Sequence, residues 1–430
     1  MRCKRIDYQL FLFWHVDRML ISNAAEMKKK NVAIIGTVGL PANYGGFETL
    51  AEHLVEQLSA TCNLSVYCSG KKYPKEKRTG SYKGARLIYL PWEANGIQSI
   101  VYDSISILHA LWYADVLLIL GVSGGFLLPF IKLFSRKKII ISIDGIEWKR
   151  NKWSKAARLY LWAAEWMAVK FSHADISDNE AIQDYTAIRY KTLSNIVEYG
   201  ADHCLAVKPE KEDVKKYPFL HRPYAFKVCR IEPENNLDMV LAAFSQRPGH
   251  LLVLVGNWNN SDYGKKLREK YGKYPNIIML DPIYNQRELD MLRGNCYVYV
   301  HGHSAGGTNP SLVEAMYLGL PIMAYGVSYN KATTEGKALY FNNAADLLKL
   351  IDAKKRNELN EVAIAMKEIA NRRYTWKLVA DKYAWLINHV LYNPAKKTLM
   401  PEIAWKLHTA QLLAHGMGHL QTSALFYEKR

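Results

Sequence analysis

The sequence predicts an α/β protein built from two doubly wound domains that face each other across a cleft. Three observations carry this. Short β-branched runs alternate with segments of helical length and spacing; the alternation breaks at a charged stretch and then resumes; and each half places a glycine-rich loop directly after a strand. A length of 430 residues is enough for two or three domains with large cores.

In the first half the strand-like runs are Asn31–Gly36, Asn63–Cys68, Ala85–Leu90, Asp115–Leu120, Lys137–Ile143, Ala174–Ser177 and Thr192–Val197. In the second they are Tyr224–Ile231, His250–Gly256, Asn276–Leu280, Cys296–His301 and Leu320–Tyr325. Near-continuous apolar runs of this length suit strands buried on both faces of a parallel sheet. Val116 to Ile131, the most apolar stretch, is broken by Ser123, Gly124, Gly125 and Pro129. It falls short of the ~20 residues of a membrane span and reads as a buried strand, a turn and a helix start. The chain thus divides into an extension or mis-called start (1–27), a first Rossmann-like domain (28–205), a linker (206–224), a second Rossmann-like domain (225–375), a helix (376–392) expected to pack back on the first domain, and a tail (393–430). Residues 1–26 carry LFLFW among several charges and no small-residue cleavage site, which does not suit a signal peptide; Met27 reads as the natural start, an amphipathic anchor being the alternative.

Composition narrows the function. The chain is 49% hydrophobic and 23% charged, which excludes disordered and collagenous classes. Six scattered cysteines without a CxxC pair fit a reducing cytosol and no zinc site. A formal charge of +17 favours anionic partners without choosing among nucleotides, acidic lipid and nucleic acid. The basic residues are not interleaved with any nucleic-acid reading motif, so nucleic acid ranks last.

Ligands of open parallel sheets bind beyond the carboxyl ends of the strands, so the loops there are the candidates. The first is GTVGLPANYGGFET, with Gly36 and Gly39 after the strand and Gly45 and Gly46 before a helix. It can seat a phosphate at a helix N-terminus or serve only as a packing turn. It is neither GxGxxG nor a P-loop, which disfavours a dinucleotide oxidoreductase and an NTPase. The second is VHGHSAGGTNPSLVEAMYLGLPIMAY, where Asn309 is a natural N-cap and Pro310 suits the first helical turn. Amides from Thr308 to Leu312 would form an anion seat, and Glu314 one turn further in would accept from a ribose diol or be an ordinary solvated helix residue. Arg230 ends a strand and either clamps a diphosphate in the same crevice or pairs with Glu232 or Glu234.

These residues resemble a known family. The C-terminal half is similar to the nucleotide-binding domain of retaining glycosyltransferases of the GT-B fold, family 4. The fragments GTVGLPANYGGFET, DGIEWKRNKW and RIEPENN resemble its bacterial rhamnosyltransferase branch, and the likeness spans Lys28 to Tyr392. The resemblance implies a first domain that binds acceptor and a second that binds a nucleotide sugar, with Arg230 on the donor diphosphate. Of the family's two glutamates eight residues apart, the second falls on Glu314 and the first on Gly306; its usual lysine falls on Asn235 and its cleft histidine on Asp144. These departures suit a deoxysugar donor such as dTDP-rhamnose.

The expected donor-binding set is Gly45, Gly46, Arg230, Asn235, Gly307, Thr308, Asn309, Ser311 and Glu314. Arg230, Asp144 and Glu48 are the candidate catalytic residues; Phe47, Glu48, Asp144 and Trp148 are expected at the acceptor. Front-face attack, as the family is generally read, leaves Asp144 to orient the acceptor. No DxD occurs, so neither a metal nor a cofactor is expected. Basic clusters at Lys71–Arg78 and Arg150–Arg158 are ordinary solvated surface or contacts to anionic lipid. The apolar face of Leu159, Trp162, Ala163, Trp166 and Met167 is expected to pack on the sheet. The implied activity is transfer of a deoxyhexose, with retention, to a lipid-diphosphate-linked saccharide at the cytoplasmic membrane face during cell-surface polysaccharide assembly. The alternatives are a nucleotide-sugar epimerase of the same fold and a non-catalytic nucleotide- or glycan-binding subunit.

Overall fold

The computed structural model describes residues 29–42, 45–143, 145–150, 153–353, 356–393 and 396. Asp144, Lys152, the segment ahead of Lys29 and the tail beyond Lys396 lie outside the described residues.

Two sheets organise the chain. The first contains β1 (Lys30–Ile35), β2 (Cys62–Ser69), β3 (Ser81–Tyr82), β4 (Ala85–Leu90), β5 (Val116–Leu120), β6 (Lys138–Ser142), β7 (Ala174–Ser177) and β8 (Asn195–Ile196), in the order β3-β4-β2-β1-β5-β6-β7-β8. All its pairings are parallel except β3 with β4. The second contains β9 (Tyr224–Val228), β10 (Leu251–Val255), β11 (Ile277–Leu280), β12 (Val298–His301), β13 (Ile322–Tyr325) and β14 (Leu339–Phe341), in the wholly parallel order β11-β10-β9-β12-β13-β14. The strand order reverses beside β1 in one sheet and beside β9 in the other, which opens a crevice at the strand ends of each.

Helices cover both faces of the first sheet. Val32, Ile34, Leu118 and Ile140 point to the side packed by α1 (Gly46–Leu58). Their neighbours Ala33, Ile35, Leu117 and Ile139 point to α2 (Gln98–Ala110), α3 (Leu128–Phe134) and α4 (Lys155–Phe171). The period-two alternation of β1 thus serves two apolar layers. Two glycines let the outer layer close. A Cβ on Gly124 would stand 2.7 Å from the Ile107 side chain of α2, and one on Gly125 would run into the Ala164 carbonyl of α4.

The face of α4 is the reverse of expectation. Its buried residues are Leu161, Ala164, Glu165, Ala168 and Val169, while Leu159, Trp162 and Trp166 are exposed. The small Ala164 and Ala168 bring this helix close to Gly125, an approach the tryptophan face could not allow. Ser154 caps the helix by accepting from the Ala157 amide at 3.3 Å.

The last helix, Trp376–Tyr392, packs on the 46–58 helix and on β6 of the first sheet. The two chain crossings between domains are tied where the Ala201 amide donates to the Tyr374 carbonyl at 2.8 Å. Gly200 is required there because a Cβ would strike the Trp376 indole. Arg373 adds ion pairs to Glu180, Glu198 and Glu335.

Candidate active site

The cleft between the sheets is a cavity of about 1240 Å³, above the ~300–1,000 Å³ of an ordinary single-ligand pocket. On the first-domain side the loop after β1 reaches α1 through Gly45, whose φ of 104° is open only to glycine among unstrained residues. A Cβ on Gly46 would stand 3.4 Å from both Tyr199 and Pro310, so the loop passes close to the second domain there. Phe47 and Glu48 line the cavity. Glu48 is buried and accepts from the Val38 amide at 2.6 Å. Its carboxylate therefore holds the loop in shape at the cavity wall.

On the second-domain side Arg230 follows β9 and stands in the cavity with its side chain 45% exposed. Its nearest carboxylate, Glu232, is 3.9 Å away, so the ion pair that could have consumed it is weak. Asn235 donates from its side-chain amide to the Arg230 carbonyl at 2.6 Å, which fixes the loop that presents the guanidinium. Asn309 caps the Pro310–Tyr317 helix, its Oδ1 accepting from the Ser311 amide at 3.1 Å and from the Ser311 hydroxyl at 2.8 Å. Glu314 is held by Arg293 at 2.5 Å and by His203 at 3.4 Å. Burial works against its charge, but Arg293 and His203 together outweigh this and hold the carboxyl below the usual range.

His203, Cys204 and Glu314 bring three ligand-type atoms within 4.8 Å of one another. Arg293 sits in the same cluster, 3.5 Å from the Cys204 sulfur, and its fixed charge opposes a second cation.

Two features correct the expectations, the first at the anion seat. The Thr308 amide donates to the Asp178 carboxylate at 2.8 Å, and the Thr308 hydroxyl donates to the Asp178 carbonyl at 2.6 Å. The Ser311 amide is taken by Asn309 Oδ1, and the Leu312 amide by the Asn309 carbonyl at 3.0 Å. The seat at Gly307 and Thr308 therefore already holds an anion, one supplied by the other domain. Gly307 is glycine because a Cβ would fall on the Asp178 carboxylate. Gly306 has φ +118° and lies back to back with Gly145, whose Cβ would stand 3.0 Å from the Gly306 Cα.

Arg150 is the second correction. Its guanidinium pairs with Glu147 at 2.8 Å on its own domain, and with Glu234 and Glu232 across the cleft. It is a domain-closing group and not a free basic residue facing a membrane. Burial raises the Glu234 carboxyl, and Arg150 more than offsets this to leave it below the usual range.

Trp148 turns away from the cavity, donating from Nε1 to the Tyr185 hydroxyl at 2.8 Å with Arg189 stacked on its ring. Trp153 lines the cavity in its place and donates to Glu147 at 3.0 Å. Sequence reasoning also missed Asp103, whose only signal was an acid inside the helical pattern SIVYDSISIL. Asp103 lines the cavity fully buried, its Oδ1 has no hydrogen-bond partner, and burial lifts its carboxyl to about 8. It stands among Ile97, Ile100, Ala157, Tyr160 and Leu161, an apolar arm of the cleft between α2 and α4.

Two facing doubly wound domains, with a strand-end arginine and a capped helix N-terminus on the second, define the GT-B architecture. Residues 209–372 match the family model described as glycosyl transferases group 1, and residues 29–202 match a domain of unknown function, DUF1972. Three solved structures share the whole fold. Sucrose-phosphate synthase from Thermosynechococcus elongatus is 15% identical, with a TM-score of 0.70 over 85% of this chain and 100% of that one. Anabaena HepE in complex with UDP and glucose is 14% identical, with a TM-score of 0.65 over 84% and 100%. The catalytic domain of starch synthase IV from Arabidopsis thaliana, bound to ADP and acarbose, is 10% identical, with a TM-score of 0.63 over 85% and 100%. The chain thus has the GT-B fold, and its second domain is similar to glycosyl transferases group 1.

Proposed function

We propose that the protein transfers a deoxyhexose, rhamnose from dTDP-rhamnose, with retention, onto a lipid-diphosphate-linked saccharide at the cytoplasmic membrane face during cell-surface polysaccharide assembly. The observation that carries the reading is Arg230, presented into the cleft on a loop that Asn235 fixes, with Glu232 no nearer than 3.9 Å. Sugar transfer from a nucleotide diphosphate builds negative charge on the leaving group, and a fixed guanidinium stabilises that charge most in the transition state. Pro282, Ile283 and Tyr284 give the cavity an apolar wall for the base, while Glu314, positioned by Arg293, is a hydrogen-bond acceptor for the ribose. Gly306 supports the deoxysugar, because it leaves no carboxylate at the position where the family reads a hexose hydroxyl. The apolar arm beside Asp103 suits a lipid-linked acceptor.

The complex of HepE with UDP and glucose favours a second reading, a UDP-hexose donor. Purified protein is given dTDP-rhamnose or UDP-glucose with a lipid-diphosphate monosaccharide. Rhamnosyl transfer supports the proposal, and glucosyl transfer supports the second reading. Donor isomerisation without acceptor makes the protein an epimerase, and nucleotide binding without turnover makes it a binding subunit.

A further inference from the structure

The outer surfaces of α2, α3 and α4 form one exposed apolar layer. Leu108 of α2 and Trp112 just beyond it are exposed, the latter at 89%. Phe130, Leu133 and Phe134 of α3 are exposed at 61%, 74% and 80%. Leu159, Trp162 and Trp166 complete the layer from α4. The helices lie side by side because Gly124 admits α2 and Gly125 admits α4 against the turn into α3. Exposed apolar residues scattered singly mean little, but large ones contiguous over three helices mark an interaction surface.

Basic residues border this layer. Lys132, Arg136, Lys137 and Lys138 cluster at the end of α3, and Lys155 and Lys170 stand at the two ends of α4. Lys170 lies over the Trp166 ring at 5.0 Å and Arg189 over the Trp162 ring at 4.7 Å, so cations and indoles are layered together. The carboxylates of the three helices, Asp103 and Glu165, are both buried. Lys71, in the basic loop after β2, bonds Gln98 at the start of α2 at 3.0 Å, which brings that loop to the edge of the layer.

We propose that the outer face of α2, α3 and α4 seats the protein on an anionic lipid bilayer. A spread of exposed Trp, Phe and Leu over three helices, bordered by Lys and Arg and free of exposed carboxylates on those helices, fits a broad apolar surface beneath negative headgroups. Ile100 and Asp103 of α2 and Ala157, Tyr160 and Leu161 of α4 also line the cleft, so the proposed lipid-facing surface and the cleft share two helices. This deepens the transferase reading, and its link to a lipid-linked acceptor rests on that reading. It also shifts the expected membrane contact from Arg150, which is spent on domain closure, to an aromatic face.

The test is sedimentation of the full-length chain with vesicles of phosphatidylcholine alone, and of three parts phosphatidylcholine to one part phosphatidylglycerol. The comparison is the triple variant Trp112→Ser, Phe134→Ser, Trp166→Ser, with melting temperature and nucleoside diphosphate affinity as controls. The wild type is expected to bind the anionic vesicles, with part of the binding surviving high salt. The variant should lose at least ~10-fold of that partition with both controls unchanged. Equal partition of the two proteins, or no binding by the wild type, overturns the proposal. A dimer in solution that the variant splits also overturns it by assigning the face to a second copy. Transfer to a detergent-dispersed acceptor is measured alongside. Transfer without vesicle binding defeats the surface alone, and vesicle binding without transfer defeats the transferase reading alone.

Discussion

The backbone amide of Thr308 and the carboxylate of Asp178, 130 residues apart, meet at 2.8 Å across the cleft. A carboxylate from the first domain thus fills the place where a donor phosphate would find the helix N-terminus of the second. Together with the Arg150–Glu234 pair it ties the two domains to each other across the cleft.

Asp178→Asn is predicted to tighten binding of a nucleoside diphosphate. The substitution removes the charge that competes for Thr308 and keeps a side chain of similar size. A charge-assisted hydrogen bond is worth about 1.5–3 kcal/mol, so titration calorimetry should show roughly a 10-fold gain in affinity. Unchanged or weaker binding would mean that Asp178 does not compete for the site.

Glu314→Ala should destabilise the protein as well as weaken nucleotide binding. Arg293 is fully buried, and breaking a buried pair by removing one partner costs about 3–5 kcal/mol. Glu314→Gln should retain more stability while still losing nucleotide affinity. A melting temperature unmoved by Glu314→Ala would show that Arg293 finds other partners. Because Arg293 occupies the only group of potential metal ligands found among the described residues, activity should also persist in EDTA; its loss and return with a divalent cation would contradict this assignment.

Asp103 predicts a pH dependence. Its carboxyl is lifted to about 8 by burial, so the folded protein holds this proton over a range in which the unfolded chain has lost it. The favourable contribution is complete below the ordinary carboxyl pKa, near 4, and is lost as pH rises toward 8. Asp103→Asn, neutral throughout, should therefore gain melting temperature relative to wild type between pH 5 and 8. A constant difference across that range would place the Asp103 titration elsewhere.

What the sequence made legible was set by local signals. The buried strands announced themselves as short apolar runs, and the glycine-rich loops after β1 and β12 marked the cleft. The edge strands Ser81–Tyr82 and Leu339–Phe341 did not, since runs of two or three residues carry no readable alternation. The face of α4 was misread because bulk suggests burial, whereas close packing at Gly125 selected alanines. Arg230, Asn309 and Glu314 could be located from strand ends and caps. Their partners Arg293, Asp178 and Arg150 could not, because pairs joined only by folding leave no spacing to read.

The most direct measurement is donor turnover by wild type and Arg230→Ala, with dTDP-rhamnose and a lipid-diphosphate monosaccharide. The account predicts that wild type releases nucleoside diphosphate in step with glycosylated lipid. It predicts that Arg230→Ala lowers kcat by about 10²–10³ while donor KM changes much less, because leaving-group charge is largest in the transition state. Undiminished turnover by Arg230→Ala would contradict the diphosphate clamp on which the account rests.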